Sequence, residues 1–463
     1  MRRTLDVEES RQNKLGTWPV GKLLLSMTLP MMISFFIQAM YNVVDSIFVA
    51  RISENALTAV SLAFPMQMLM HAAAVGIGVG VNAGAAGALG VGDQKKAGRV
   101  AGTAIALDFC LMLLFMFLGF TAARPIYAAQ TEIPEIVDYG ASYLSIIWIV
   151  CAGELFGQLF EKMLVSAGNA FLAMAAMASG AVFNIVFDPL LIFGLGPFPE
   201  LGIAGAALAT VLGQILGAAV SLFLNVRKNP QLRVTVPDLR LRREELKIIL
   251  SVGFPSMVTI GFAGFSNFLV NQVLLTYSTT AAAVYGIWAK LQNFCYMPLY
   301  GMNNGMVPIL SYNLAAGRKD RVHRTFRLAL SAALCLECAL LLILEQIPRP
   351  LLYLFDASDS MLSIGIRALC VCILSLPFGG STVVMTSSMQ SLHHERNALF
   401  VNVLRQFVLI YGAFRILSEA THELEMVWFA VPASEAVCCI IAAWLMRKLY
   451  RDLGLRKEGR RNG

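Results

Sequence analysis

Asp45 and Asp188 are carboxylates set inside stretches of sequence apolar enough to cross a bilayer. An ionisable group there costs about 2.5–3.5 kcal/mol on insertion scales, so each needs a physical reason. Asp45 lies six residues before Arg51, Asp188 lies six before Gly194, and Thr210 lies eight after Gly202. Spans 1 and 5 run toward one membrane face and span 6 returns from it. At a rise of about 1.5 Å per residue, all three side chains then sit about 9–12 Å below that face. Asn184 stands one helical turn before Asp188, on the same side of its helix. Depth alone therefore lets Asp45, Asn184, Asp188 and Thr210 form one buried polar cluster. Two carboxylates held together cannot both ionise cheaply, so one would carry a proton. The same oxygens could equally hold a small hard cation such as sodium, or each acid could merely brace a helix near the interface.

Six further charged residues fall in apolar stretches: Asp108, Glu154, Lys290, Glu337, Arg405 and Glu435. Lys290 lies near the midplane of its span, where it would pair with an acid or line a cavity. Glu154 is a candidate for the same kind of role. His393 and His394 read as a solvated loop beside Glu395 and Arg396 rather than as a metal site. Cys335 and Cys338 have redox-motif spacing, but they sit within an apolar span and read as packing. Gly76, Gly80 and Gly84 share one helix face, on which a neighbouring backbone can approach closely. No Lys-Ser/Thr follows them, which argues against a nucleotide-binding loop. The chain offers no nucleophile–base pair and no metal-ligand set. No enzyme activity and no cofactor is expected, only a coupling ion, H+ or Na+.

The elements that must position these groups are helices. The chain of 463 residues is 57% hydrophobic and 14% charged, against about 25% charged in soluble proteins. Twelve stretches are long enough to cross a bilayer, at roughly 23–50, 56–88, 100–122, 139–160, 163–193, 202–226, 246–275, 281–311, 325–347, 361–390, 397–418 and 425–446. Pro30, Pro65, Pro189, Pro255, Pro298, Pro308, Pro377 and Pro432 lie within them and suggest bent helices. The fold expected is an all-α polytopic membrane protein.

Shifted by 225 residues, the chain lands on itself without a gap. Lys22, Ser26, Pro30, Asn42, Gln67, Gly76, Gly80, Gly92 and Arg99 fall on Lys247, Ser251, Pro255, Asn267, Gln292, Gly301, Gly305, Gly317 and Arg324. Six spans per half is an even number, so the halves form a parallel repeat of two six-helix lobes. At this offset Asp45, Asn184 and Asp188 fall on Val270, Leu409 and Ala413, so an ion site would belong to the N-terminal half. Of the 36 Lys and Arg, 29 fall on one side of the membrane, which places both termini in the cytoplasm. That bias accounts for the net charge of +7 without any nucleic-acid partner. The expected organisation is a cytoplasmic segment 1–22, an N-terminal lobe 23–226, a basic linker 227–245 read as a solvated tether, a C-terminal lobe 246–446 and a basic tail 447–463.

Several of these residues resemble the multidrug and toxic compound extrusion (MATE) family. The similarity runs through Pro30, Gln38, Tyr41, Asn42 and Asp45, then Ala59-Val60, Phe64-Pro65 and the glycines from Gly76 to Gly92. It continues with Asn184, Asp188-Pro189 and the run from Gly202 to Thr210, then Tyr285-Gly286, Gly301, Pro308 and Tyr312 to Gly317. The resemblance implies a two-lobe exporter that drives amphipathic, often cationic compounds outward in exchange for H+ or Na+. It carries a cation-coupling role onto Asp45, Asn184, Asp188 and Thr210, and a substrate-cavity role onto Gln38 and Tyr41, beside Glu154 and Lys290. It implies drug-like small-molecule partners, a multi-pass place in the plasma or inner membrane and function as a monomer. Where relatives carry a glycine after the tenth span, this chain has His393. Some relatives carry an acid in that span, whereas Pro377 to Gln390 contains none, so a second cation site is not expected there. A lipid-linked sugar flippase of related architecture is the alternative, and it would call for a basic cavity.

Overall fold

The computed structural model describes residues 13–355 and 358–455, and among them every regular element is helical. Residues 1–12 of the expected N-terminal segment and 456–463 of the tail lie outside the described residues. Twelve spans follow in order: α1 (Val20–Ala50), α2 (Glu54–Gly90), α3 (Gln94–Thr121), α4 (Pro134–Ile149 with Ala152–Ser166), α5 (Ala170–Phe193) and α6 (Gly202–Lys228). The second lobe holds α7 (Arg243–Leu274), α8 (Thr279–Ala315), α9 (Lys319–Leu344), α10 (Asp359–Ile373 with Leu376–Ser391), α11 (Glu395–Thr421) and α12 (Leu424–Asp452). Nine are single helices that meet the length and apolarity of a membrane span, and α4 and α10 are pairs that meet it together. The twelfth, α8, is 37 residues long.

The repeat read from sequence governs where helices begin. Glu54, Gln94, Pro134 and Ala170 start helices in the first lobe, and Thr279, Lys319, Asp359 and Glu395 start them 225 positions later. Short helices Ala123–Gln130 and Pro348–Tyr353 obey the same offset. The caps are duplicated too: Ser53 accepts from the Ala56 N–H and Ser278 from the Ala281 N–H, each at 3.0 Å. Spans 4 and 10, read as single stretches 139–160 and 361–390, are instead broken pairs, both bent by 44°.

Small residues bring the lobes together. Gly76 of α2 lies against Gly253 of α7, and Gly80 lies against the Ile249 backbone. In the mirrored contact, Gly301 and Gly305 of α8 lie on the α1 backbone at Met32 and Met27. Without side chains these backbones approach more closely than any Cβ would allow. All four glycines sit in the halves of α2 and α8 nearest the side from which α1 starts. Toward the other end, Gly261 and Gly286 meet nothing within 4 Å.

On the side where α1 starts, residues 13–18 tie both lobes. Asn13 donates to the Ala167 carbonyl at 3.1 Å, while Asn313 and Arg321 donate to the Leu15 carbonyl at 3.0 and 3.1 Å. Arg318 bonds the Gly16 carbonyl. The linker also differs from a free tether. Leu232 is buried, the Thr103 hydroxyl of α3 donates to the Arg240 carbonyl at 3.1 Å, and Arg99 pairs with Glu245 at 3.0 Å. Gly98 and Gly102 of α3 admit the linker backbone at Arg233 and Asp238.

Candidate functional site

The first lobe forms a partly open cavity between α1, the second piece of α4, α5 and α6. Its shape follows from glycine crossings. Gly180 of α5 faces the Gly213 carbonyl of α6, where a Cβ would stand 2.6 Å away, and Gly153 of α4 faces the Ile215 amide at the same 2.6 Å. Helices drawn this close bring short polar side chains within reach of one another.

Asn184 of α5 donates to Thr210 of α6 at 3.3 Å and to Asp188, one turn on, at 3.4 Å. Asp45 of α1 stands beside the Asp188 carboxyl. The four residues predicted from depth thus meet in one cluster. Asp188 and Asn184 are fully or almost fully buried. Asp45 Oδ1, Asn184 Oδ1 and Asp188 Oδ2 are buried oxygens that no donor reaches. Buried acceptors that lack a donor are costly, and a proton or a hard cation would satisfy them.

One layer further along the cavity, Glu154 is held on both oxygens. His71 Nδ1 lies 2.7 Å from Oε1, and the Gln214 amide donates to Oε2 at 2.9 Å. Gln38, Tyr41, Glu154, Asn184, Thr210 and Gln214 all line the cavity. Glu161 lines it too, beside a buried Lys162 whose ammonium donates to it at 2.8 Å. His71, Gln214 and Glu161 are additions that the sequence reading passed over. An imidazole inside an apolar span was the available signal for the first of them.

Lys290 does not join this set. It is exposed on α8, its ammonium 5.7 Å from the centre of the Phe355 ring, and among the described residues it makes no ion pair. Asp108 and Glu337 are fully buried away from the cavity lining. Arg405 and Glu435 pair with each other at 2.8–2.9 Å, and Arg405 lies 5.6 Å over the Tyr296 ring. The second lobe has no carboxylate where the first has Asp45 and Asp188; Val270, at the place of Asp45, is fully buried.

A family model described as MatE matches residues 30–190 and 255–414, two segments that begin 225 positions apart. The chain is 24% identical over 440 residues to an FAD transporter of Shewanella oneidensis, covering 93% of this chain and 95% of that one. It is 24% identical over 439 residues to the multidrug export protein MepA of Staphylococcus haemolyticus, covering 95% and 96%. Among solved structures it is similar to an outward-facing multidrug resistance MATE family transporter of the MOP superfamily, with TM-score 0.89, 24% identity and coverage of 96% and 98%. A MOP superfamily transporter from Pyrococcus furiosus, whose binding pocket is described as of reverse polarity, gives TM-score 0.88 at 25% identity, covering 95% and 98%.

Proposed function

We propose that this chain, which belongs to the MatE family, exports amphipathic and often cationic compounds in exchange for H+ or Na+. One observation carries the reading: Asp45, Asn184 and Asp188 each bring a buried oxygen that no donor reaches to one cluster, and Asn184 and Thr210 of that cluster line a cavity that also holds Glu154 and Glu161. A cation or protons would complete that cluster, and a lipophilic cation would suit the wall at Glu154, since Glu161 is already paired with Lys162.

The coupling runs through α1. Its outer half supplies Gln38, Tyr41 and Asp45, and its other half carries the Met27–Met32 surface on which α8 rests. Pro30 lies within that surface and removes a backbone hydrogen bond, so the helix yields most easily there. Ion binding at Asp45 would repack α1 against the cavity and expel the substrate. Net transport then follows from the different ion affinities of the two open states. By the distribution of Lys and Arg, both chain ends face the cytoplasm, in a plasma or inner membrane, and the single chain holds the whole path.

One relative is named as an FAD transporter, so an anionic substrate is the reading to weigh against this one. A dinucleotide phosphate would call for basic side chains, and the charged residues on the cavity wall are Glu154 and Glu161. The test is efflux of an ethidium-type cation from cells lacking their own pumps. Wild type is compared with Asp45→Asn and Asp188→Asn at matched membrane expression. Efflux lost in both variants supports the reading, and efflux indifferent to both removes the ion site.

A further inference from the structure

Glu337 of α9 has no exposed surface, and no donor reaches either carboxylate oxygen. An unpaired charge in such a place is costly, whereas the carboxylic acid is not. Its surroundings come from several helices. A Cβ at Gly380 of α10 would stand 2.6 Å from Glu337 Cγ and 3.0 Å from Leu299 Cδ1 of α8, so the side chain lies in a seam kept narrow by a glycine. Cys295, Tyr296 and Tyr300 of α8 lie near enough to feel its charge. At this seam α10 contributes Gly379 and Gly380. Helix α1, also packed on α9, is charged only at Lys22 and Asp45, toward its ends. Arg405 of α11, beyond Tyr296, is already held by Glu435 of α12. The set Glu337, Arg405 and Glu435 therefore carries one uncompensated negative charge whenever Glu337 is ionised.

Two further observations argue that the group is more than an inert buried acid. Asp108 in α3, the corresponding span of the first lobe, is also fully buried with both oxygens lacking donors. Shifted by 225 it falls at position 333, one helical turn from Glu337. The seam also borders the lobe contact: α8 carries Cys295 and Leu299 on the seam, then Gly301 and Gly305 on α1.

We infer that Glu337 is a second proton-binding site, held in the C-terminal lobe where α8, α9 and α10 meet, and that its occupancy sets whether this seam is closed. In the closed seam the carboxylate has taken one proton from water and is the neutral acid. Giving that proton back to water leaves a carboxylate that needs hydration, which the Gly380 seam admits only if α8 parts from α9 and α10. The site rests on the reading of the protein as an ion-coupled exporter, and it adds a proton to those handled by the first lobe.

The test uses the full chain in proteoliposomes, with Glu337→Gln, Glu337→Asp and Asp188→Asn beside wild type. Infrared difference spectra between acidic and alkaline buffer report protonated carboxyl groups directly, and substrate flux is measured across the same pH range. Glu337→Gln should lose one titrating carboxyl band and flatten the pH dependence of flux by about one proton. Glu337→Asp should restore both. A Glu337→Gln protein with unchanged bands, or with the wild-type pH profile while Asp188→Asn is inactive, overturns the site and leaves the exporter standing. Flux indifferent to pH, sodium and Asp188→Asn would overturn the exporter reading itself, while the infrared bands would still decide whether Glu337 titrates.

Discussion

Asp188 is fully buried, while Asp45 is only partly so, yet both present an oxygen that no donor reaches. Removing either charge should therefore cost coupled efflux at least about tenfold, or about 1.4 kcal/mol of coupling. The measurement is initial efflux rate at matched expression; a loss of less than twofold in both would contradict the cluster. Arg405 offers a test of a different kind. Arg405→Leu alone should lower stability by about 3–5 kcal/mol, because it strands Glu435, whereas Arg405→Leu with Glu435→Leu should recover most of that. Thermal unfolding in detergent reads both. Asp45, Asn184, Asp188 and Thr210 were legible in the sequence because counting residues from a span end gives depth. His71 and Gln214 were not, because what gives them meaning is Glu154, which lies 83 and 60 positions away in the chain.

At the scale of elements, the duplicated helix starts were visible as a constant offset, since caps and turns depend on local residue types. The sharp bends were not. Prolines suggested bent helices at many places, yet α1, α2, α5, α7 and α8 run continuously through theirs. The two 44° breaks occur beside Pro377 in α10 and beside Ala152 in α4. A bend shared by both lobes with proline in only one of them is set by packing. The loop after each broken span shows a related strain. Gly168 has φ +95°, and its repeat partner His393 has φ +61°, a conformation that suits glycine and burdens a residue with a Cβ. The His393 ring lies 3.7 Å from Glu395 and is more than half exposed, so it returns little. His393→Gly should therefore raise stability by about 1 kcal/mol, seen as a higher melting temperature with transport retained. A lower melting temperature would contradict the strain.

For the whole molecule, the lobes meet through glycine contacts and through the residues 13–18 staple, all on the side where α1 starts. A Cβ at Gly253 would fall on the Gly76 backbone, while one at Gly286 would meet nothing within 4 Å. Gly253→Leu should destabilise the protein by about 1–3 kcal/mol and stop transport, and Gly286→Ala should do neither. Equal effects of the two on unfolding temperature and flux would deny the glycine contact its role. The two-lobe plan was readable from the repeat and the charge bias. The staple was not, because Asn13, Leu15, Ala167, Asn313 and Arg321 come together only once both lobes are folded.

If ion binding at Asp45 expels substrate from the first-lobe cavity, ions and substrate must oppose one another's binding. Binding of a tetraphenylphosphonium-type cation to the purified chain, across pH and sodium concentration, measures that opposition. Affinity should fall as protons or sodium ions occupy the cluster, and Asp45→Asn with Asp188→Asn should remove the sodium dependence and leave only the pH dependence that Glu337 contributes. Binding that is insensitive to both ions in wild type would contradict the account.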